Sequence, residues 1–302
     1  MVLICVNKSA GLRVRKSSCL QIIDDLEPCR HADMETCMPT EFPIWFIYLA
    51  VALFGACVGS FLNVCIYRLP RGQSIVTPRS HCTKCRKQIK WYDNIPIFSY
   101  IILLGKCRYC GRRISARYFI VELLTVAMSV VTFIHFQDIP KYLIYFCFLV
   151  APLIVVAFID LEHRLIPDII SIPGIAAGAM ARLAFAEGSF TPVILDIMLG
   201  ILVGGGFLCV VGLGYEWMKK QEGLGGGDVK LACMLGAFFG WKAVIFILLM
   251  SSMLGSVVGL FLIFVLKKGA KYAIPFGPFL VAAAYINLFF GERILGWYLS
   301  LF

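Results

Sequence analysis

Charged residues are scarce in this sequence of 302 residues: they make up 15% of the chain, whereas 60% of its residues are hydrophobic. Soluble domains contain about 25% charged and about 45–50% apolar residues, so the composition excludes a soluble globular enzyme. It also excludes a disordered chain, which requires low hydrophobicity. The remaining class is a membrane protein with several spans, and the length allows up to about eight helices of about 20 residues.

Three familiar sequence signatures are absent. Residues 1–42 contain no apolar segment after Lys8, which excludes a signal peptide. The glycines at 225–227 are not followed by the Lys-Ser/Thr pair of phosphate-binding loops, and no Gly-x-Gly-x-x-Gly stretch marks a dinucleotide site. The polar tail 1–42 is expected to be disordered or to reflect a misassigned start, because Met34 and Met38 stand just before the first apolar run.

Eight apolar segments follow the tail and predict an all-α polytopic membrane protein with about eight transmembrane helices. The segments cover residues 43–67, 118–137, 140–159, 166–186, 191–214, 228–240, 242–266 and 275–299. The sixth is shorter than a span requires, so it is either a partial span buried in protein or divided differently from the seventh. The pattern predicts four regions, namely the tail 1–42, a first helix 43–69, a cytoplasmic loop domain 70–117 and a multi-helix membrane domain 118–302.

The net charge of +10 belongs to one loop, because residues 68–117 hold twelve basic residues and a single acid, Asp93. Basic loops stay in the cytoplasm, so this loop is assigned to the inside. Alternating the spans then places nineteen basic residues inside and four outside. No recognition helix or aromatic ladder accompanies the charge, so it favours membrane lipid over nucleic acid as a partner.

The same loop carries Cys82-x2-Cys85 and Cys107-x2-Cys110, separated by 21 residues. This spacing lets the thiolates of both turns reach one tetrahedral zinc ion. Thiol exchange is the alternative use of Cys-x-x-Cys, but two pairs in a reducing cytoplasmic loop favour metal. We predict a structural zinc site, because four thiolates leave no open coordination position.

Two acids lie at the ends of apolar segments and are candidates for chemistry, since acids in a membrane are costly. Asp160 ends the third segment, and Asp228 opens the sixth after Gly225, Gly226 and Gly227. Two close carboxylates share a proton, so one can activate water while the other donates to a carbonyl oxygen. The alternative is that both are interfacial residues, with Asp228 capping a helix N-terminus.

Five stretches of the chain resemble the bacterial type IV prepilin peptidases, which are membrane aspartyl proteases with a Gly-x-Gly-Asp signature. The signature itself is matched by Gly225-Gly226-Gly227-Asp228-Val229-Lys230. The other four, which occur in the order of the family, are residues 59–70, the double Cys-x-x-Cys loop, residues 159–168 and residues 275–279. The resemblance covers residues 43–300, and five motifs in order are far more specific than one.

The resemblance implies a bifunctional enzyme of the bacterial inner membrane whose active site faces the cytoplasm. It would cut the basic leader of type IV prepilins or type II secretion pseudopilins after a Gly, with Asp160 and Asp228 as the catalytic pair. It would then methylate the new N-terminal residue, usually Phe, with S-adenosylmethionine as the methyl donor. The structural zinc insert and the glycines at 225–227 belong to the same resemblance.

Three further residues are weaker candidates for support of the site. Glu122 lies near the inner end of the second segment, where it either serves methyl transfer or, as we favour, pairs with a basic residue. Asp168 is expected to cap a helix start or to support the catalytic pair. Lys230 is expected either to act as a counter-charge for that pair or to extend along the apolar surface toward water.

Two other functions fit parts of the sequence. A cation-coupled transporter would use carboxylates along a membrane path, but Asp196 is the main candidate and it lies near the outer end of its segment. A membrane-tethered zinc module that binds a partner protein would leave Asp160 and Asp228 without a role. We therefore rank the peptidase first.

Overall fold

The structure is a computed structural model that describes residues 43–219, 225–265 and 274–299. The expectation for the tail 1–42 falls outside the described residues. The chain from Val51 onward forms one compact unit, and residues 43–50 belong to the unit before it.

The described ranges are helical and contain no β-strand, which confirms the predicted all-α class. Ten α-helices are described: α1 (Ile44–Arg68), α2 (Phe98–Ile102), α3 (Ala116–Phe136), α4 (Ile139–Tyr145), α5 (Ala151–His163), α6 (Asp168–Ala184), α7 (Phe190–Lys219), α8 (Gly226–Phe239), α9 (Trp241–Phe264) and α10 (Gly277–Leu299). The predicted insert after the first helix contains α2 and two short 3₁₀ turns, at Leu69–Arg71 and Trp91–Asn94.

Each of the eight predicted apolar segments contains helix. Five helical segments are long and apolar enough to cross a membrane, namely Ile44–Arg71, Ala116–Phe136, Ile139–His163, Phe190–Met218 and Trp241–Phe264. Helices α6 and α8 have 17 and 14 residues, which is short for a full crossing. Most of α8 after Lys230 is buried in protein, as a partial span requires.

The third predicted segment is a helix interrupted by a π-helical turn at Phe146–Val150, between α4 and α5. Pro152 lies in the first turn of α5. Proline has no backbone N–H and its ring clashes with the preceding turn, so the extra residue of a π-turn relieves the clash. Pro152 is therefore accommodated by a wider turn just before it.

Glycines bring α8 close to its neighbours α6 and α7. A Cβ atom added at Gly200 of α7 or at Gly236 of α8 would overlap the backbone of the other helix. On the α6 side, a Cβ at Gly178 would lie 2.7 Å from the ring of Phe238. Small residues at these crossings allow the close approach that membrane helices use for packing, and they fix the position of the short helix that carries Asp228.

Helices α1 and α3 also meet through small and polar residues, as the sequence predicts. A Cβ at Gly59 would lie 3.0 Å from the Cα of Glu122, and one at Gly55 would lie 2.6 Å from the Cβ of Ser129. Asn63 Nδ2 donates to the carbonyl oxygen of Tyr118 at 3.0 Å. This interhelical hydrogen bond joins α1 to α3.

Candidate active site

Asp160 lies in the last turn of α5 and is only 5% exposed. Its Oδ2 accepts a hydrogen bond from the backbone N–H of Gly277 at 3.0 Å. Gly277 is the first residue of α10, so a helix N-terminus with its positive end points at this carboxylate. The charge of Arg164, which follows α5, also acts on Asp160.

Asp228 lies in the first turn of α8 and is half-buried. The N-cap of α8 is Gly225, and no side chain makes a capping hydrogen bond there. The geometry thus does not support the alternative in which Asp228 caps the helix. Among the described residues, no group forms a hydrogen bond with its buried Oδ1. A buried carboxylate oxygen without a protein partner is available to water or to a substrate.

The structure brings Asp160 and Asp228 together although 67 residues separate them in the sequence. They are close enough for the charge of Asp160 to act on Asp228. The two acids come from α5 and α8, and α10 supplies the N–H group that holds Asp160.

An ion pair between Arg117 and Glu162 fixes the end of the bundle at which Asp160 lies. Arg117 is in the first turn of α3, directly after the basic insert, and Glu162 is in the last turn of α5. The carboxylate of Asp160 is therefore at the same end of the spans as the basic insert. From the sequence, the same placement of Asp160 could be inferred only from the number of basic residues in each loop.

Lys230 and Asp168 form an ion pair with Nζ–Oδ distances of 2.7 and 2.8 Å. Asp168 is the first residue of α6, whose N-cap is Pro167, and its side chain makes no capping hydrogen bond. The cap expected of Asp168 is therefore not observed. The pair instead ties the start of α6 to the start of α8, two residues beyond Asp228.

The three glycines before Asp228 have different surroundings. A Cβ at Gly227 would lie 2.8 Å from Cβ of Ile166, so this position excludes a larger residue. A Cβ at Gly226 would meet nothing within 4 Å, and one at Gly225 would make only an ordinary contact with Asp228 Oδ2 at 3.5 Å. Within the described residues, Gly227 alone of the three is required by internal packing, and the space beside Gly226 is open.

Four cysteines of the insert come together as the sequence predicts. The sulfur atoms of Cys82, Cys85, Cys107 and Cys110 all lie within 4.8 Å of one another. A tetrahedral ion with Zn–S bonds of about 2.3 Å requires sulfur separations of about 3.8 Å, and Cys82 Sγ lies 4.0 Å from Cys110 Sγ. The donor set fits zinc with small adjustments.

The two knuckles of the cluster have matching backbone bonds. Arg86 N donates to Cys82 O, and Gly111 N donates to Cys107 O, each at 2.9 Å. The residue that closes each turn has a positive φ, 57° at Arg86 and 66° at Gly111. The sequence predicts this conformation for Gly111, where glycine adopts it without strain.

A cavity of about 820 Å³ lies between the insert and the adjoining ends of α1 and α3. Its wall includes the aromatic rings of Tyr67, Tyr100 and Tyr118 and the carboxylate of Glu122. Asp93 also lines it and accepts hydrogen bonds from Arg108 Nε and Nη2. These bonds raise the pKa of the Arg108 guanidinium above its ordinary value.

Glu122 is fixed by the insert rather than by a cation. Its Oε2 accepts a hydrogen bond from the backbone N–H of Ile97 at 2.7 Å. Within the described residues it forms no ion pair, and Arg117 is paired with Glu162 instead. The favoured expectation of a basic partner for Glu122 is therefore wrong, because the insert folds back and provides a backbone donor.

Asp196, on which the transporter alternative depends, is a residue of α7. It lies beside the C-terminal end of α6, whereas Asp168 is at the N-terminal end of that helix. Its carboxylate forms an ion pair with Arg182 at 2.6 Å and accepts a hydrogen bond from Trp241 N at 3.4 Å. It thus joins α6, α7 and the start of α9. This arrangement gives Asp196 a structural role and leaves no second carboxylate beside it in the described residues.

Gly277 is the residue at the site that sequence reasoning missed. A Cβ atom there would lie 2.5 Å from Asp160 Oδ2 and 3.1 Å from its Cγ. The sequence offers one signal for it, since Pro275-Phe276-Gly277-Pro278-Phe279 is one of the five stretches that carry the family resemblance. The motif predicts where a helix begins, but only the fold shows that the start of this helix contacts Asp160.

Fold and site together define a multi-pass membrane protein with two carboxylates at one end of its bundle, one buried and one half-buried, and a cysteine-rich insert. Residues 53–136 match the bacterial peptidase A24 N-terminal domain, and residues 147–260 match the type IV leader peptidase family. The chain therefore belongs to the type IV leader peptidase family.

Curated relatives extend over most of the chain. A protein of Aeromonas salmonicida named prepilin leader peptidase/N-methyltransferase is 34% identical over 282 residues, which cover 85% of this chain and 95% of the relative. Proteins with the same name from Myxococcus xanthus and Legionella pneumophila are 40% and 34% identical, over 73% and 85% of this chain and 64% and 96% of the relatives. No solved structure matches the chain.

Proposed function

We propose that this chain is a prepilin leader peptidase and N-methyltransferase of the bacterial inner membrane. The meeting of Asp160 and Asp228 at one end of the bundle is the observation that carries the peptidase activity. We further propose that this end faces the cytoplasm. The Arg117–Glu162 pair places Asp160 at the end of the basic insert, and basic loops stay inside.

The two carboxylates can perform peptide hydrolysis with water alone. One carboxylate removes a proton from a water molecule, whose oxygen attacks the carbonyl carbon of the scissile peptide, while the protonated partner donates to the carbonyl oxygen. The tetrahedral intermediate then releases the amine, which takes up a proton from the pair. Lys230, Asp168 and Gly225–Gly227 position the start of α8 and leave room for an extended leader beside Gly226.

Neutralising either acid tests the peptidase assignment. Asp160→Asn and Asp228→Asn should each reduce leader cleavage by about a thousandfold or more, because proton transfer requires both groups. The assay is intact-mass analysis of a purified prepilin after incubation with each variant. Asp138→Asn is the matched control, since Asp138 caps α4 and Asn caps equally well. Full processing by either active-site variant would refute the proposal.

The methyl-transfer activity is proposed for the cavity beside the insert. Its volume of about 820 Å³ is in the range of small-molecule sites. S-adenosylmethionine supplies the methyl group when bound. Its sulfonium suits the aromatic rings and Glu122, and its carboxylate suits the basic side chains that also line the cavity, Arg68 and Arg71 among them. Glu122 can accept the proton that the new terminal ammonium of the pilin must lose before its nitrogen forms a bond to carbon.

Glu122→Gln separates the charge of this residue from its structural contact. Its amide oxygen still accepts the hydrogen bond from Ile97 N–H, so the insert keeps its position. The variant should lose about tenfold or more in methylation, while leader cleavage stays close to that of the parent. Mass analysis of one reaction reports both products. Equal loss of the two activities would argue against a separate methyl site here.

Zinc, the domain division and the substrate class complete the proposal. We propose that residues 70–117 form a domain held by zinc on Cys82, Cys85, Cys107 and Cys110, and that residues 118–302 form the peptidase domain. The ion stabilises the insert and takes part in no step of the reaction. The substrates are type IV prepilins or type II secretion pseudopilins, membrane lipid surrounds the spans, and nucleic acid is not a partner.

A further inference from the structure

Helix α2 and the turn after it expose a cluster of apolar side chains. Phe98, Ile101, Ile102 and Leu104 are 61%, 54%, 73% and 79% exposed. The insert also exposes Val76 and Trp91, each 80% exposed, but only here do four large apolar side chains lie within seven consecutive residues. A contiguous apolar cluster marks a contact surface, whereas single exposed side chains are ordinary. The position of the cluster along α3 indicates what this surface contacts.

The depth of α2 is fixed by contacts with the first turns of α3. Ile97, the N-cap of α2, donates its backbone N–H to Glu122 at 2.7 Å, and the ring of Tyr100 stacks on Phe119 with centroids 5.3 Å apart. Glu122 follows Ala116, the first residue of the span, by six positions. Six residues of helix advance about 9 Å along its axis.

The span Ala116–Phe136 has only 21 residues, which at about 1.5 Å each just crosses a hydrocarbon layer of about 30 Å. Residues at the level of Glu122 are therefore inside the bilayer boundary, and α2 lies alongside them. Ser99 is buried and Tyr100 half-buried toward the protein, so the exposed apolar side chains point away from it. At this depth, the medium on that side is lipid.

Two further observations agree with lipid as the occupant. Ile120 and Leu123 of the neighbouring α3 are each 50% exposed, as expected of residues that face acyl chains. Lys106, Arg112 and Arg113 follow the cluster and are exposed. Basic residues just outside an apolar insertion meet the negative headgroups of the same leaflet.

We propose that Phe98–Leu104 is an interfacial anchor that inserts into the leaflet beside the start of α3 and holds the cysteine-rich insert against the bilayer. The anchor explains why a five-residue helix is bracketed by two residues with positive φ, 63° at Ile97 and 49° at Leu104. Such backbone is unfavourable for branched residues. Here it turns the chain into the membrane boundary and out again.

Site-specific photocrosslinking of the full-length enzyme in phosphatidylethanolamine–phosphatidylglycerol liposomes tests the anchor. The photoreactive residue p-benzoylphenylalanine is placed at Ile102, at Ile120 as the lipid-facing control, or at Gln88, an exposed polar position of the same insert. After irradiation, intact-mass analysis measures the fraction of protein that carries one phospholipid.

Lipid adducts at Ile102 should match those at Ile120 and exceed those at Gln88 by about tenfold, because only the first two positions lie in the acyl region. Adducts at Ile102 no higher than at Gln88 would overturn the proposal. Crosslinking of Ile102 to a second copy of the chain or to another protein would also overturn it. Leader cleavage, assayed in parallel, shows that each labelled protein is folded, and its outcome does not depend on the anchor.

Discussion

Gly277 shows how a residue without a side chain determines the state of a reactive one. Its N–H group holds Asp160, and its missing Cβ leaves the space that the carboxylate occupies. The N–H group of Gly277 and its lack of a Cβ atom therefore both contribute to the site. A substitution that keeps the N–H but adds a methyl group separates the two contributions.

Gly277→Ala should reduce leader cleavage by about a hundredfold, because a Cβ at 2.5 Å from Asp160 Oδ2 must displace the carboxylate. The measurement is kcat/KM on a purified prepilin. Gly206→Ala is the matched control, since a Cβ there meets nothing within 4 Å. Thermal unfolding of both variants should stay close to that of the parent, and a variant that cleaves normally would contradict this account of the site.

The Lys230–Asp168 pair is a positioning contact, because it touches neither carboxylate of the catalytic pair. Its side chains are 41% and 55% exposed, so its contribution to stability is small. Loss of this ion pair should therefore change the alignment of α6 and α8 rather than the stability of the protein. A reversed pair preserves that alignment while changing both residues.

Lys230→Asp and Asp168→Lys should each lower kcat for leader cleavage by about fivefold, since an exposed pair is worth about 1 kcal/mol at most. The double variant, with both charges exchanged, should recover most of the lost rate. The assay is steady-state cleavage at low and high salt, and the difference between parent and single variants should shrink at high salt. Failure of the double variant to recover would show that the lysine acts by another route.

At the scale of elements, the insert depends on its cysteine cluster. The described part of residues 70–117 contains a helix of five residues and two short 3₁₀ turns, and most of its side chains are exposed. A segment of this kind has too little buried apolar surface to hold its shape. The zinc proposed for the four cysteines would supply the missing folding energy.

The purified protein should therefore contain about one zinc ion per chain, measured by elemental analysis. The double variant Cys82→Ser, Cys107→Ser should contain none, and trypsin should cut its insert faster, because the backbone around the exposed basic residues can then unfold. Methylation should fall, since the cavity wall is built from the insert. Cys209→Ser, at an exposed position on α7, is the control. A zinc content unchanged in the double variant would contradict the assignment.

At the scale of the whole molecule, local sequence patterns predict the helices. They do not predict which residues far apart in the sequence come into contact. Each Cys-x-x-Cys pair can be recognised within four residues, so the sequence alone predicts the cluster of four cysteines. The hydrogen bond from Ile97 to Glu122 depends on how an insert folds back. Nothing in the local sequence encodes that path.

The site divides in the same way. Asp160 and Asp228 were singled out by the rarity of acids at span ends and by the resemblance, whereas their supporting contacts depend on which helices meet. Lys230 was expected to act on the catalytic pair or to extend toward water, but it pairs with Asp168. The packing of α6 against α8 through Gly174 and Gly178 brings Lys230 to Asp168. Counting charges along the sequence cannot predict this packing.

The hydrogen bond from Gly277 to Asp160 also sets when the enzyme can become active during its synthesis. Ribosomes build chains from the N-terminus, so Asp160 and Asp228 enter the membrane well before α10 emerges. Until then the carboxylate of Asp160 lacks the donor that orients it. If Asp160 is catalytic, as proposed, the nascent chain has no protease activity until α10 is in place, and a translation product arrested before residue 274 should leave prepilins uncut.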